Sequence, residues 1–501
     1  MMSFHTIKKQ TQDLLTFGLF ARLLNFLKGI LLAFFIGANF RTDTYLVAFS
    51  ASVFLIGIVA DALIVSLIPI YHQIDRRDGR KGRFEFTHNL ISYWTILGLV
   101  LMVLNFLLAP FIVKLFGPGF GPEGFNQAVR LFRYGAPIVL AHVYRAIFGG
   151  YLQSQHLFRA GAKGGVANAL IYIAYLVLFS RYFGLEGLMV TGIIAVGAQA
   201  FMLAKPVFKK QGYRYRPVLV TKDRSIVRLN RFLFPIVIGL GINQLNQAID
   251  NAIGSFLAEG TIAELSYAKD IIDLFVGVVV MALVTAIFPV VSERDHRINK
   301  EEMDQYLRYS LRLISMVVVP ATILLLVMAE PVVRIFYQRG EFTAQATQAT
   351  STLLVYYAIG IIGTSLMLLV TRLYYANENT TEPIILAAFA LILNIIFDVI
   401  FVLWLGPAGI ALGSSLSVII ASLYGVYDLD SNLDFLHWKD ITLRSLKVAL
   451  AGVMMASVLV ITMSAVDHYL GETLISSILM VVTGGVLGLG TFFAAIFVTR
   501  A

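Results

Sequence analysis

Cysteine is absent from this chain of 501 residues, which excludes disulfides, thiol nucleophiles and cysteine-ligated metals and leaves the redox compartment open. Charge is scarce too. Asp, Glu, Lys and Arg make up 14% of the residues against 58% hydrophobic, whereas soluble domains carry roughly 25% charged residues. Catalytic signatures are also missing: no phosphate-cradling glycine loop, no histidine spacing suited to a metal and no nucleophile–base pair stands out. An enzyme and a resident cofactor are therefore not expected.

What is present is long apolar blocks. Residues 90–115 carry almost no charge before Lys114, and 385–405 carry only Asp398. Such runs match the roughly 20 residues a helix needs to cross a hydrocarbon core. Backbone amides in lipid must bond within their own segment, so the runs imply helices, and an outer-membrane barrel would show short alternating segments instead. The start is polar, with Lys8 and Lys9, and leads into an apolar stretch with no small-residue cleavage site. It reads as a retained first helix, not a signal peptide. The net charge of +9 sits mainly in short loops, a pattern of membrane orientation rather than of nucleic-acid binding.

Length and hydropathy predict an all-α membrane protein with about fourteen spans. They fall near 14–37, 44–71, 89–115, 128–154, 162–183, 186–207, 230–257, 263–291, 306–330, 346–375, 382–405, 408–428, 442–466 and 474–498. The second-to-third connection holds Arg76, Arg77, Arg80, Lys81 and Arg83, and the sixth-to-seventh runs from Lys205 to Arg231 with nine basic residues between and including them, whereas 117–125 and 259–264 contain no Lys or Arg. The positive-inside rule then puts both termini in the cytoplasm, and helical spans suit a bacterial inner rather than an outer membrane.

The chain echoes itself. Ser66-Leu-Ile-Pro69 followed by Asp75 and Arg77 matches Ala286-Ile-Phe-Pro289 followed by Asp295 and Arg297, and Lys114-Leu-Phe116 matches Arg334-Ile-Phe336 at the same offset. Gly184-x-x-Gly187 and Gly406-x-x-Gly409 fall two residues out of phase with this. The pattern predicts two parallel six-helix lobes, 1–210 and 211–435, with two further transmembrane helices in 436–501.

Charges inside spans are costly and usually face a hydrated interior. Arg22, Asn25 and Lys28 share one broad face of the first span by their spacing, and His142 and Arg145 lie in the fourth. In the seventh, Asn243, Gln247 and Asp250 share a face among six polar side chains; each alone could be interhelical glue. Lys269, Asp270 and Asp273 lie near the outer end of the eighth, where snorkelling to the interface is equally open. Asp61 and Asp398 sit in otherwise apolar spans, where each could pair with a base, bind a cation or take up a proton. Gly239-x-Gly241 lies inside a span and permits close helix contact or a kink. Arg22, Lys28, Arg145 and Lys269 together suit an anionic head group such as pyrophosphate.

Two stretches carry a resemblance. One is Phe20-Ala-Arg22-Leu-Leu-Asn-Phe-Leu-Lys28 with Ile36-Gly-Ala, Thr42-Asp43 and Val47-Ala-Phe49. The other runs through Phe336-Tyr-Gln-Arg339-Gly340-Glu-Phe342, Tyr357-Ala-Ile-Gly360, Tyr374-Tyr-Ala376 and Thr381-Glu-Pro383 to Leu405-Gly-Pro-Ala-Gly-Ile-Ala-Leu412. In order and spacing they resemble the MurJ/MviN family of lipid II flippases, within the multidrug/oligosaccharidyl-lipid/polysaccharide exporter superfamily.

The resemblance implies two lobes around a cationic cavity, a groove for the polyprenyl tail in the last two helices, alternating access, and coupling to membrane potential or a monovalent cation. It carries head-group and gating roles onto Arg22, Lys28 and Asp43. The residues read by themselves add gating or charge pairing for Asp270 and Asp273 and polar cavity lining for Asn25, Asn243, Gln247 and Asp250. The sequence departs from the family at Gly29, where an Asp is usual, and at Phe54-Leu-Ile-Gly57, where an arginine is usual. In Tyr267-Ala-Lys269-Asp270-Ile-Ile-Asp273 acid and base have exchanged places. The expected partners are a polyprenyl-pyrophosphate-linked saccharide, first lipid II, and membrane lipids, the protein being monomeric. The rivals are a flippase for another polyprenyl-pyrophosphate glycan and an ion-coupled drug exporter. Two cations in the first span count against the exporter, which would want an acidic, aromatic cavity.

Overall fold

The computed structural model describes residues 4–209, 211–221, 223–281, 300–376, 379–433 and 438–499, the side chains of 4–15, 243, 300–308, 430–433 and 438–445 excepted. Among the described residues there is no strand, and 11 helices are long and apolar enough to cross a membrane. The protein is an all-helical, multi-pass membrane protein. Its contacts divide it into two compact units, Met1–Ile262 and Ala263–Ala501.

The first unit contains α1 (Phe4–Ile36), α2 (Phe40–Leu107), α3 (Ala109–Phe116), α4 (Pro122–Gly135), α5 (Ile138–Ser154), α6 (Arg159–Leu178), α7 (Ser180–Lys209) and α8 (Arg224–Gly254). α2 holds the second and third expected spans in 68 residues. A straight helix of that length would run about 100 Å, far beyond a bilayer, and it is broken at Gly79, whose φ of +62° suits glycine. The two arms pack together through Leu63, Leu67 and Tyr71 on one side and Phe86, Leu90 and Trp94 on the other, with Tyr151 of α5 between them. Tyr71 Oη lies 3.0 Å from Thr87 Oγ1, so its buried hydroxyl is satisfied.

The expected fourth span is not continuous: α4 ends at Gly135 and α5 begins at Ile138. Pro137 has no N–H to give the Arg133 carbonyl, which interrupts the helical ladder although the backbone at Ala136 and Pro137 stays in the right-handed helical region. Polar side chains start the long helices. Asn39 accepts the N–H groups of Arg41 and Thr42 ahead of α2, and Asp223 those of Ser225 and Ile226 ahead of α8. Around the bundle, α1 packs on α6, α6 on α7, α7 on α5, and α5 on α2, which also carries α8.

The second unit contains α9 (Thr261–Phe275), continued by a π-turn Val276–Val280, then α10 (Lys300–Val327), α11 (Ala329–Phe336), α12 (Ala344–Ala376), α13 (Glu382–Leu405), α14 (Pro407–Leu433), α15 (Trp438–Leu470) and α16 (Leu474–Thr499). α14 packs against both α12 and α13. It approaches α12 so closely that a Cβ at Gly363 would lie 2.7 Å from the Ile419 nitrogen. The α15–α16 hairpin packs on α10 and α11. Arg334 of α11 is buried and ties the hairpin's turn by Nη2 to Glu472 at 2.7 Å, while also pairing with Glu330 at 2.6 Å. The echo of Pro69 falls on Pro289, which with Ala286, Asp295 and Arg297 lies outside the described residues.

Candidate functional site

In the first unit α1 presents Arg22 and Asn25 on its exposed face, with Lys28 half-buried. Asn25 satisfies its amide locally, donating to the Ala21 carbonyl at 2.9 Å. The Lys28 ammonium sits 4.8 Å from the centroid of the Tyr172 ring on α6. Such a contact stabilises by about 0.5–2 kcal/mol depending on desolvation. Glycine makes room for it, because a Cβ at Gly192 would lie 2.7 Å from the Tyr172 hydroxyl. Arg22 lies six residues into the apolar span Thr16–Ile36 and is exposed, and a charge inside such a span is costly against lipid.

Asp61 does not stand alone in its span. Arg145 of α5 donates from Nη2 to Asp61 Oδ1 of α2 at 2.7 Å. A residue expected on head-group phosphates and one expected at an ion site are thus a single pair. His142, one turn before Arg145, has its Nδ1 buried without a hydrogen-bond partner among the described residues.

At one end of the first unit a turn follows α8. Asp43, buried near the start of α2, accepts the Gly260 N–H at 2.6 Å. Gly260 has φ +91°, and a Cβ there would meet the Ala38 carbonyl oxygen at 3.0 Å. The same turn is held a second time, by the Gly119 N–H donating to Ser255 Oγ at 2.9 Å. On α8 itself Gln244 and Gln247 are exposed, Asn246 is half-buried, and Asp250 and Asn251 are buried; the side chain of Asn243 lies outside the described residues.

Sequence reasoning missed the anchoring of the connection between α7 and α8. Asn89 brackets Val220, donating to its carbonyl at 2.9 Å and accepting its N–H at 2.8 Å. Ser92 Oγ accepts the Val218 N–H at 3.2 Å, and His88 Nδ1 lies 2.8 Å from the Tyr213 hydroxyl. Burial pushes the Tyr213 phenol above its usual range, so it stays protonated. Arg80 adds a bond to the Gln211 carbonyl. Adjacent His88 and Asn89, with Ser92 one helical turn on, were the available signal.

In the second unit Lys269 and Asp270 are half-buried on α9 and Asp273 is exposed. Asp398 is fully buried on α13. Asn394, one turn earlier, donates to Asp398 Oδ1 at 3.1 Å and lies 3.2 Å from Ser414 Oγ of α14. Only glycine fits beside this carboxylate, because a Cβ at Gly413 would lie 2.1 Å from Oδ1.

The chain matches the model of the family described as lipid II flippase MurJ over residues 32–482. Among curated relatives, the probable lipid II flippase MurJ of Rhizobium meliloti is 27% identical over 88% of this chain and 83% of its own. That of Rickettsia prowazekii is 24% identical over 96% of this chain and 95% of its own. A solved structure of lipid II flippase MurJ in an inward closed conformation is 22% identical, covers 97% of this chain and 99% of that one, and superposes with a TM-score of 0.82. An inward-facing multidrug transporter of the MATE family superposes at 0.68 with 16% identity over 83% of this chain and 94% of that one, a likeness of fold alone. With a family match running through all but the two ends of the sequence, the chain belongs to the lipid II flippase MurJ family.

Proposed function

We propose that the protein moves lipid II, the undecaprenyl-pyrophosphate-linked peptidoglycan precursor, from the inner to the outer leaflet of a bacterial cytoplasmic membrane by alternating access. The observation that carries this reading is the family match over residues 32–482. Arg22, Lys28 and Arg145 of the first unit and Lys269 of the second serve the head-group phosphates. Asp43 gates through the Gly260 N–H, with Asp270 and Asp273 as pairing charges, and Asn25, Asn243, Gln247 and Asp250 offer polar groups to the sugar. Asp398, with Asn394 beside it, binds a monovalent coupling cation. The six-helix lobes are 1–210 and 211–435, residues 436–501 take the polyprenyl tail, both termini are cytoplasmic, and the working unit is a monomer.

The test is genetic. The gene is expressed in a strain depleted of its own lipid II flippase, and growth and cell shape are followed. Rescue is expected. Failure by a protein that is expressed and inserted, with transport of another polyprenyl-pyrophosphate glycan intact, would contradict lipid II as the cargo.

A further inference from the structure

The pair between Asp61 and Arg145 is asymmetric. The Arg145 side chain is 17% exposed and that of Asp61 is 56% exposed. Its Nε is buried without a hydrogen-bond partner among the described residues. A tie serving only to hold two helices together gains from being covered on both sides, and here the carboxylate is the open half. The helices already have a tie of their own. A Cβ added at Gly150 of α5 would lie 2.8 Å from the Leu67 side chain, and one at Gly149 would lie 3.5 Å from Ile64. Backbone proximity therefore fixes the height of Arg145 beside Asp61 whether or not the two are bonded.

Space lies next to the pair. Gly57 stands one turn from Asp61 on the same face of α2, and a Cβ there would meet nothing within 4 Å. Asp61 lies ten residues before Tyr71, about 15 Å along the helix, so the open, charged position is near mid-span. A carboxylate exposed at that depth faces water rather than lipid.

We propose that Asp61 is a displaceable counter-ion for Arg145, occupying its guanidinium while the site is empty and yielding it to a phosphate of the cargo. This rests on the reading that Arg145 serves the head-group phosphates. A solvent-open ion pair is weak, whereas a phosphate offers more charge and accepts two parallel bonds from the guanidinium fork. The exchange needs a rotation of the arginine side chain and no movement of the helices. When the cargo leaves, Asp61 recaptures the guanidinium, so the charge is never left bare between turnovers and release is assisted by competition. Asp61 is thus a positioning residue that acts through Arg145.

The experiment is a double-mutant cycle on the full-length protein in nanodiscs, with farnesyl pyrophosphate as the titrated probe and lipid II translocation measured separately in proteoliposomes. Arg145→Met is expected to weaken probe binding. Asp61→Asn is expected to tighten it by about threefold or more, as removing a weak competing pair implies, while translocation falls. In the Arg145→Met background, Asp61→Asn is expected to change affinity by less than about twofold, because its effect passes through the arginine. Asp61→Glu keeps a competing carboxylate and should bind the probe as the unaltered protein does, which tests the idea even if the Asn variant folds poorly. Unchanged or weaker binding by Asp61→Asn, with Arg145→Met impaired, overturns the counter-ion role and leaves the head-group role of Arg145 standing. Equal tightening in both backgrounds also overturns it, since Asp61 would then act by general repulsion. Normal binding by Arg145→Met overturns the reading on which the proposal rests.

Discussion

The carboxylate of Asp43 accepts the backbone N–H of Gly260 at 2.6 Å, joining the start of α2 to the turn that follows α8. A bond to a charged acceptor is worth about 2 kcal/mol. Asp43→Ala should therefore lower transport strongly, and Asp43→Asn, which keeps a carbonyl at the same place, should lose less. Gly260→Ala should resemble Asp43→Ala without touching any charge, because φ is +91° there and the Ala38 carbonyl stands 3.0 Å from the new Cβ. Full transport by Asp43→Ala beside an impaired Gly260→Ala would remove the carboxylate from the gating account.

Tyr172 separates ring from hydroxyl. Its ring faces the Lys28 ammonium, while its buried hydroxyl has no hydrogen-bond partner among the described residues. Tyr172→Phe should transport lipid II nearly as the unaltered protein does. Tyr172→Leu should lose a few-fold in transport rate, in line with about 0.5–1 kcal/mol for a solvated cation–π contact. Equal rates for Phe and Leu variants would show that the ring does not position Lys28.

The anchored connection between α7 and α8 should be a stability element. Asn89→Ala removes both bonds to Val220, and at about 1 kcal/mol for each neutral bond it should cost about 2 kcal/mol. Protease cleavage within 211–221 should rise in that variant. Unchanged thermal unfolding and unchanged cleavage would mean that the segment is held by its apolar contacts instead.

The helices were legible because apolar blocks of span length have few ways to satisfy their backbone in lipid. The bounds of α13, Glu382–Leu405, coincide with the expected 382–405. Pro137 was visible too, yet hydropathy averages over a proline and the fourth span was drawn straight through it. The site was less legible. Arg145 and Asp61 are 84 residues apart, and no local pattern links them until α5 is laid on α2. Asn394 is one turn from Asp398 and could have been read with it, whereas the ring under Lys28 comes from a helix whose tyrosines look alike in sequence.

The proposed coupling cation is assigned to Asp398 of the second unit. If Asp398 binds a monovalent cation with Asn394, then Asp398→Asn and Asn394→Ala should each weaken the dependence of transport on that cation, assayed by exchanging sodium for potassium or choline. Gly413→Ala should do the same by intruding on the carboxylate. Transport with unaltered ion dependence in all three variants would reduce Asp398 to a structural hydrogen-bonding group.

The central claim is that cations of α1 carry the pyrophosphate. The direct measurement is the fraction of lipid II that becomes accessible to a lipid II-cleaving enzyme added outside cells that rely on this protein. The Arg22→Ala, Lys28→Ala double variant, inserted at normal levels, should leave lipid II protected, and Arg22→Lys should keep part of the activity because it retains charge without the planar fork. Full accessibility of lipid II in cells relying on the double variant would contradict the account.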